Sequence, residues 1–238
     1  MEIRDLDQLG SRPAALLLDA AGTLIRTAEP VGVSYARMAR AHGIQLDPQA
    51  LAMAFAGIWA SEPLPTRSHP QPSPDDDRSW WFGLVEKVFA AAGAGDSGWR
   101  DRFPACFDQI FSWFGSGRAW RLYDDASEAL TLWQGRYRLL VVSNFDQRLL
   151  TVLSELGILD LFQAVVLSSQ VGAAKPAPEI FSAAIERAGE PAHRCLHIGD
   201  DPQRDVAGAV AAGLRVYRVN RPQTDLLKLA GFLEQCPP

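Results

Sequence analysis

Apolar residues along the chain fall into two kinds of pattern. Short, mostly apolar runs occur at 14–18 (Ala-Ala-Leu-Leu-Leu), 139–142, 164–167, 195–198 and 215–219, and the first four end at a small or polar residue. Runs of four or five residues with little alternation predict strands buried on both faces, as in a parallel sheet. Between them, helix-period segments cover 126–134, 148–156, 178–188 and 203–212, with Gly157, Gly189 and Gly213 just past three of their ends, where a left-handed cap is favoured. Strand and helix alternating through short connections predicts an α/β fold, a doubly wound, Rossmann-like parallel sheet with helices on both faces. In such sheets ligands gather beyond the carboxyl ends of the strands, which is where Asp19, Ser143 and Asp200 fall.

Residues 29–118 break the pattern. They hold no convincing strand and five of the seven tryptophans: Trp59, Trp80, Trp81, Trp99 and Trp113. Helices are predicted over Val33–His42, Pro48–Ala60, Ser79–Ala92 and Trp99–Phe114, while the proline-rich stretch Glu62–Arg78, with the run Asp75-Asp76-Asp77, reads as a solvated loop. The expected organisation is a core domain of residues 1–28 and 119–238, interrupted after its first strand by a smaller all-helical unit over 29–118.

Composition narrows the class. With 47% hydrophobic and 21% charged residues and a net charge of −5, the chain is neither disordered nor a polyanion binder, so no nucleic-acid partner is expected. No apolar run approaches the roughly 20 residues of a membrane span, and the first residues lack the basic-then-apolar profile of a signal peptide, so a cytoplasmic protein without a membrane partner is expected. Cys106, Cys195 and Cys236 are widely spaced, which argues against a disulfide framework or a thiolate metal site. Only three of the 23 basic residues are lysines: Lys87, Lys175 and Lys228. Oligomeric state is not legible.

Four segments at the predicted sheet edge carry chemistry: Asp19-Ala20-Ala21-Gly22-Thr23-Leu24, Ser143-Asn144, Lys175-Pro176 with Pro178-Glu179-Ile180-Phe181 after it, and Gly199-Asp200-Asp201 with Asp205 following. In this order, over roughly residues 14–220, they resemble the haloacid dehalogenase superfamily, whose members are mostly phosphatases, and the helical insert stands where that superfamily carries its cap domain. The resemblance implies that Asp19 is a nucleophile forming an aspartyl-phosphate. It implies Mg²⁺ held by Asp19, the backbone carbonyl of Ala21 and Asp200. Gly22, Thr23, Ser143, Asn144 and Lys175 would receive the phosphoryl group, Lys175 offsetting its charge. Asp201 reads as a helix-start acid in a supporting role, and Asp205 as the residue that orients Lys175 or a metal-bound water. His197 reads as a buried core histidine, and Asp146 as a helix-start acid that could reach substrate together with Arg148.

One position departs from that pattern. The superfamily's phosphatases usually carry a second Asp two residues after the nucleophile, as general acid and base, and here that residue is Ala21. A positioned acid or base contributes about 10²–10⁴-fold in rate, so the loss bears on function. The expectation is a Mg²⁺-dependent phosphatase acting on a small phosphorylated metabolite. Three alternatives are a degenerate relative that binds a phosphorylated ligand or partner, a haloacid dehalogenase, and a phosphonoacetaldehyde hydrolase. The third needs a Schiff-base lysine in the insert, which contains only Lys87.

Overall fold

The computed structural model describes residues 1–3, 10–63, 65, 76–95 and 98–236. Contacts divide the described residues into two compact units, one made by those up to 26 and from 122 onward, the other by those between.

The first unit is built on a six-stranded sheet: β1 (Glu2–Ile3), β8 (Arg215–Arg218), β7 (Cys195–Gly199), β2 (Ala15–Leu18), β5 (Arg138–Ser143) and β6 (Ala164–Leu167), in that order, with every pair parallel. β2 lies at the centre and all four of its residues are buried, which explains the absence of alternation in its sequence. The chain adds β5 and β6 on one side of β2, then crosses back to add β7 and β8 on the other. The order therefore reverses between β2 and β7, the position where doubly wound sheets open a crevice. Register aligns the two strand ends: Leu18 sits opposite Ile198, and the Asp19 N–H donates to the Ile198 carbonyl at 2.8 Å. The helix Pro178–Ala188 packs Ile180, Phe181, Ala184 and Ala188 with Leu17, Leu140, Val142 and Val166 in one buried core.

Two expectations for this unit change. The helix expected over 203–212 is a π-helical turn at Pro202–Ala207 followed by a short α-helix at Gly208–Ala211. The wider turn accompanies the inward placement of Asp205, which is buried beside Gly199, where a Cβ would overlap its carboxyl group. β1 and the helix Ser168–Val171 are too short to leave a period in the sequence.

The second unit is helical: α1 (Val31–Ala41), α2 (Pro48–Ser61), α3 (Asp76–Ala91) and α4 (Trp99–Phe114). Its core joins Tyr35, Leu51, Val88, Phe89, Phe103 and Phe107, with Trp99 buried and Trp59, Trp80, Trp81 and Trp113 packed partly exposed against it. Asp47 caps α2 by accepting from the Ala50 N–H at 2.8 Å. The expected loop Glu62–Arg78 falls largely outside the described residues, but its end is corrected. Asp76 opens α3, and Asp77, expected in a solvated loop, is a buried residue of the helix. The strands β3 (Ile25–Thr27) and β4 (Trp120–Leu122) pair with each other, and next to them the Ala28 N–H donates to the Ala119 carbonyl at 2.8 Å.

Candidate active site

Asp19 follows β2 directly and is 6% exposed. Its Oδ1 accepts from Lys175 Nζ at 2.6 Å, and the same ammonium donates to Asp205 Oδ1 at 2.6 Å. Lys175 is itself buried, so this lysine forms no surface ion pair. Burial alone would drive its ammonium toward neutrality, but the two carboxylates overcome that and raise its proton affinity above that of an ordinary lysine.

The acids divide by environment. Burial raises the Asp19 carboxyl to about 7 against the pull of Lys175, and the charges of Asp205 and Asp200 add to the rise. Asp200 is raised by burial and by Asp205. Asp205 moves the other way: burial would raise it, but Lys175 and the hydrogen bond from His197 hold it well below the usual carboxylate range. His197 is lowered by burial, so the neutral ring donates from Nε2 to Asp205 Oδ1 at 2.9 Å. The histidine is indeed buried in the core, and it is also wired to the site, which a reading of β7 by itself could not show.

Asp200 directly follows β7 and faces the turn after Asp19. Thr23 Oγ1 donates to Asp200 Oδ1 at 3.1 Å. Gly22, at φ +98°, is required there, because a Cβ would stand 2.5 Å from Asp200 Oδ2. Asp201 caps the π-helical turn, accepting from the Gln203 and Arg204 N–H groups at 2.8 Å each. The Asp201 N–H in turn donates to Asp205 Oδ2 at 3.1 Å.

Two residues expected at the phosphate make hydrogen bonds within the protein. Thr23 is fully buried with its hydroxyl committed to Asp200. Asn144 commits both ends of its amide to the Lys175 backbone, donating from Nδ2 to the carbonyl at 2.9 Å and accepting at Oδ1 from the N–H at 2.6 Å. Both side chains brace the site from within the protein. Ser143 is buried at the end of β5 and Ala21 is exposed on the turn after Asp19. Asp146 is a buried partner of Arg148, which it holds through Nε and Nη2 at 2.8–3.1 Å.

Asp19, Asp200 and Asp205 each present one carboxylate oxygen, and the three oxygens lie within 4.8 Å of one another. Hard oxygen donors at this spacing suit a divalent cation. Three carboxylates face the single ammonium of Lys175, and burial, with the neighbouring carboxylates adding to it, raises the proton affinity of Asp19 and Asp200. The residues present therefore fit a metal ion.

Arg221 was invisible to sequence reasoning. It bridges Asp125 to the carbonyls of Gly22 and Thr23, across separations that leave no local spacing to read.

A parallel sheet thus carries a buried carboxylate, a buried lysine and an acidic cluster at its switch point, the frame of a hydrolase of the α/β class. Residues 13–213 match the haloacid dehalogenase-like hydrolase family, and the chain belongs to it. It is 35% identical over 209 residues to the haloacid dehalogenase-like hydrolase domain-containing protein 3 of Bos taurus, covering 87% of this chain and 82% of that protein. Among solved structures it is similar to the magnesium-bound HAD-hydrolase YfnB of Bacillus subtilis, with TM-score 0.69 and 18% identity over 94% of this chain and 99% of that one. It is also similar to a HAD phosphatase of Thermococcus onnurineus, with TM-score 0.62 and 22% identity over 92% and 97%. The last two likenesses concern the fold.

Proposed function

We propose that the protein is a Mg²⁺-dependent phosphatase that acts on a small phosphorylated metabolite through an aspartyl-phosphate on Asp19. The observation that carries this reading is the 2.6 Å contact between Lys175 Nζ and Asp19 Oδ1 within the three-carboxylate cluster. It keeps one oxygen of the nucleophile engaged and leaves the other to attack phosphorus.

Asp19 attacks in line, and the alcohol leaves as the aspartyl-phosphate forms. Lys175 carries its positive charge to the phosphoryl oxygens, and Ser143 offers them a hydroxyl. Asp205 keeps Lys175 charged and oriented. Asp19, Asp200 and the Ala21 carbonyl would hold Mg²⁺, which when bound supplies charge neutralisation for the phosphoryl group. Water then cleaves the aspartyl-phosphate. Ala21 has no proton to give, so the leaving alcohol must be acidic or take its proton from water or the substrate.

A cytoplasmic location belongs to the same reading, supported by three free, buried cysteines. Among the described residues no helix is long and apolar enough to cross a membrane.

The test is phosphate release from an aryl phosphate. Release that depends on Mg²⁺, is abolished by Asp19→Asn and falls steeply for alkyl phosphates is the expected result; undiminished release in chelator or in the variant would refute the reading. Ala21→Asp should raise alkyl phosphate hydrolysis. The missing acid also favours a second reading, a protein that binds phosphorylated ligands without turnover. That reading predicts a higher melting temperature with phosphate esters that remain intact.

A further inference from the structure

Arg221 spends every side of its guanidinium in one place. Nε donates to Asp125 Oδ1 at 3.0 Å and Oδ2 at 3.1 Å, and Nη2 to Asp125 Oδ2 at 2.8 Å. Nη1 donates to the Gly22 carbonyl at 3.0 Å and Nη2 to the Thr23 carbonyl at 2.8 Å. The plane lies 3.8 Å from the centroid of the Tyr123 ring, and the Tyr123 N–H donates to the next carbonyl of the turn, Leu24, at 3.0 Å. Asp125 is fixed in its turn by the Leu226 N–H at 2.9 Å.

Three successive carbonyls of the turn after Asp19 are therefore held from one side. The same turn faces Asp200 from the other, through the Thr23 hydroxyl and the close approach of Gly22. Arg218 adds a longer contact from Nε to the Asp200 carbonyl at 3.4 Å. Neither Arg221 nor Asp125 touches the reactive carboxylates. A lysine could not replace this arginine, because one ammonium cannot face a carboxylate bidentately, reach two carbonyls and stack on a ring together.

We propose that Arg221, held by Asp125, is a positioning residue of the reactive centre: it fixes the Gly22–Thr23 turn so that Thr23 keeps Asp200 in the arrangement that takes a divalent cation beside Asp19. This rests on the proposed metal-dependent reading of the site. Residues that orient metal ligands without touching the metal typically govern 10–100-fold in affinity.

The test uses the full chain with Arg221→Lys and, should that variant fail to fold, Asp125→Asn. Mg²⁺ alone is titrated by calorimetry, amide hydrogen exchange is followed over residues 19–26 and over β7, and aryl phosphate kinetics are measured alongside. The expected result is an affinity for Mg²⁺ lower by roughly tenfold or more, faster exchange in the turn with β7 unchanged, and a fall in kcat with KM for the phosphate ester little moved. Wild-type Mg²⁺ affinity in the variants overturns the positioning role, even if the turn exchanges faster. Mg²⁺ binding that depends on Arg221, in a protein that hydrolyses no phosphate ester, removes the phosphatase reading and leaves the positioning role standing. No Mg²⁺ binding by the wild type overturns both.

Discussion

Asn144 and Lys175 are joined back to back, the Asn144 amide closing a two-bond ring on the Lys175 backbone at 2.9 and 2.6 Å. That ring ties the Lys175 main chain to the residue after β5, while its ammonium contacts Asp19. Asn144→Ala would leave an N–H and a carbonyl without partners, at a cost of about 2–4 kcal/mol. Urea unfolding should show that loss, and aryl phosphate hydrolysis should fall with it; a variant of unchanged stability would mean that the clamp is incidental.

Lys175 is the counter-charge to two buried carboxylates. Removing one partner of such a cluster typically costs about 3–5 kcal/mol. Lys175→Met should therefore unfold at markedly lower denaturant at pH 8. The deficit should shrink at pH 5, where protonated Asp19 no longer needs the cation. An equal deficit at both pH values would contradict the charge argument.

The Asp19 carboxyl gives a pH signature. Its folded value of about 7 lies above the ordinary 3.8, so between those values the folded protein keeps a proton that the unfolded chain has lost. Stability from this group is fully present below about 4, falls as pH rises through the window and levels off above 7. Mg²⁺ competes with that proton, so the rise in melting temperature on adding Mg²⁺ should grow from pH 5 to pH 8. Thermal unfolding with and without the metal checks this, and a constant increment across the range would count against Asp19 as a ligand.

Gly22 joins a left-handed backbone to a close approach. Gly22→Ala should cost about 1–3 kcal/mol in backbone strain and push the Asp200 carboxylate aside. Calorimetry should find weakened Mg²⁺ binding even where the fold survives. Intact binding would show that Asp200 can move without consequence.

The sheet and the chief acids were legible because both leave local marks: four buried residues end at Asp19, five end at Asp200, and Lys175 stands almost alone among the lysines. What the sequence hid was pairing across distance. Asp125 and Arg221 lie 96 positions apart, and neither belongs to a motif. Thr23 and Asn144 were visible as site residues, but their hydrogen bonds to Asp200 and to the Lys175 backbone were not, because a motif gives a residue's neighbourhood and not the direction of its side chain. The π-helical turn was hidden for another reason: its register is set by the burial of Asp205 against Gly199, a contact that helical periodicity does not encode.

The Ala28–Ala119 hydrogen bond draws together two points 91 residues apart. A segment whose entrance and exit touch can be lengthened, shortened or replaced in the course of descent without re-threading a single parallel strand. Asp19, Ser143, Lys175, Asp200, Asp205 and the Arg221–Asp125 pair all lie outside that closure. The groups of the candidate site can thus be inherited intact while the helical segment diverges at its own pace.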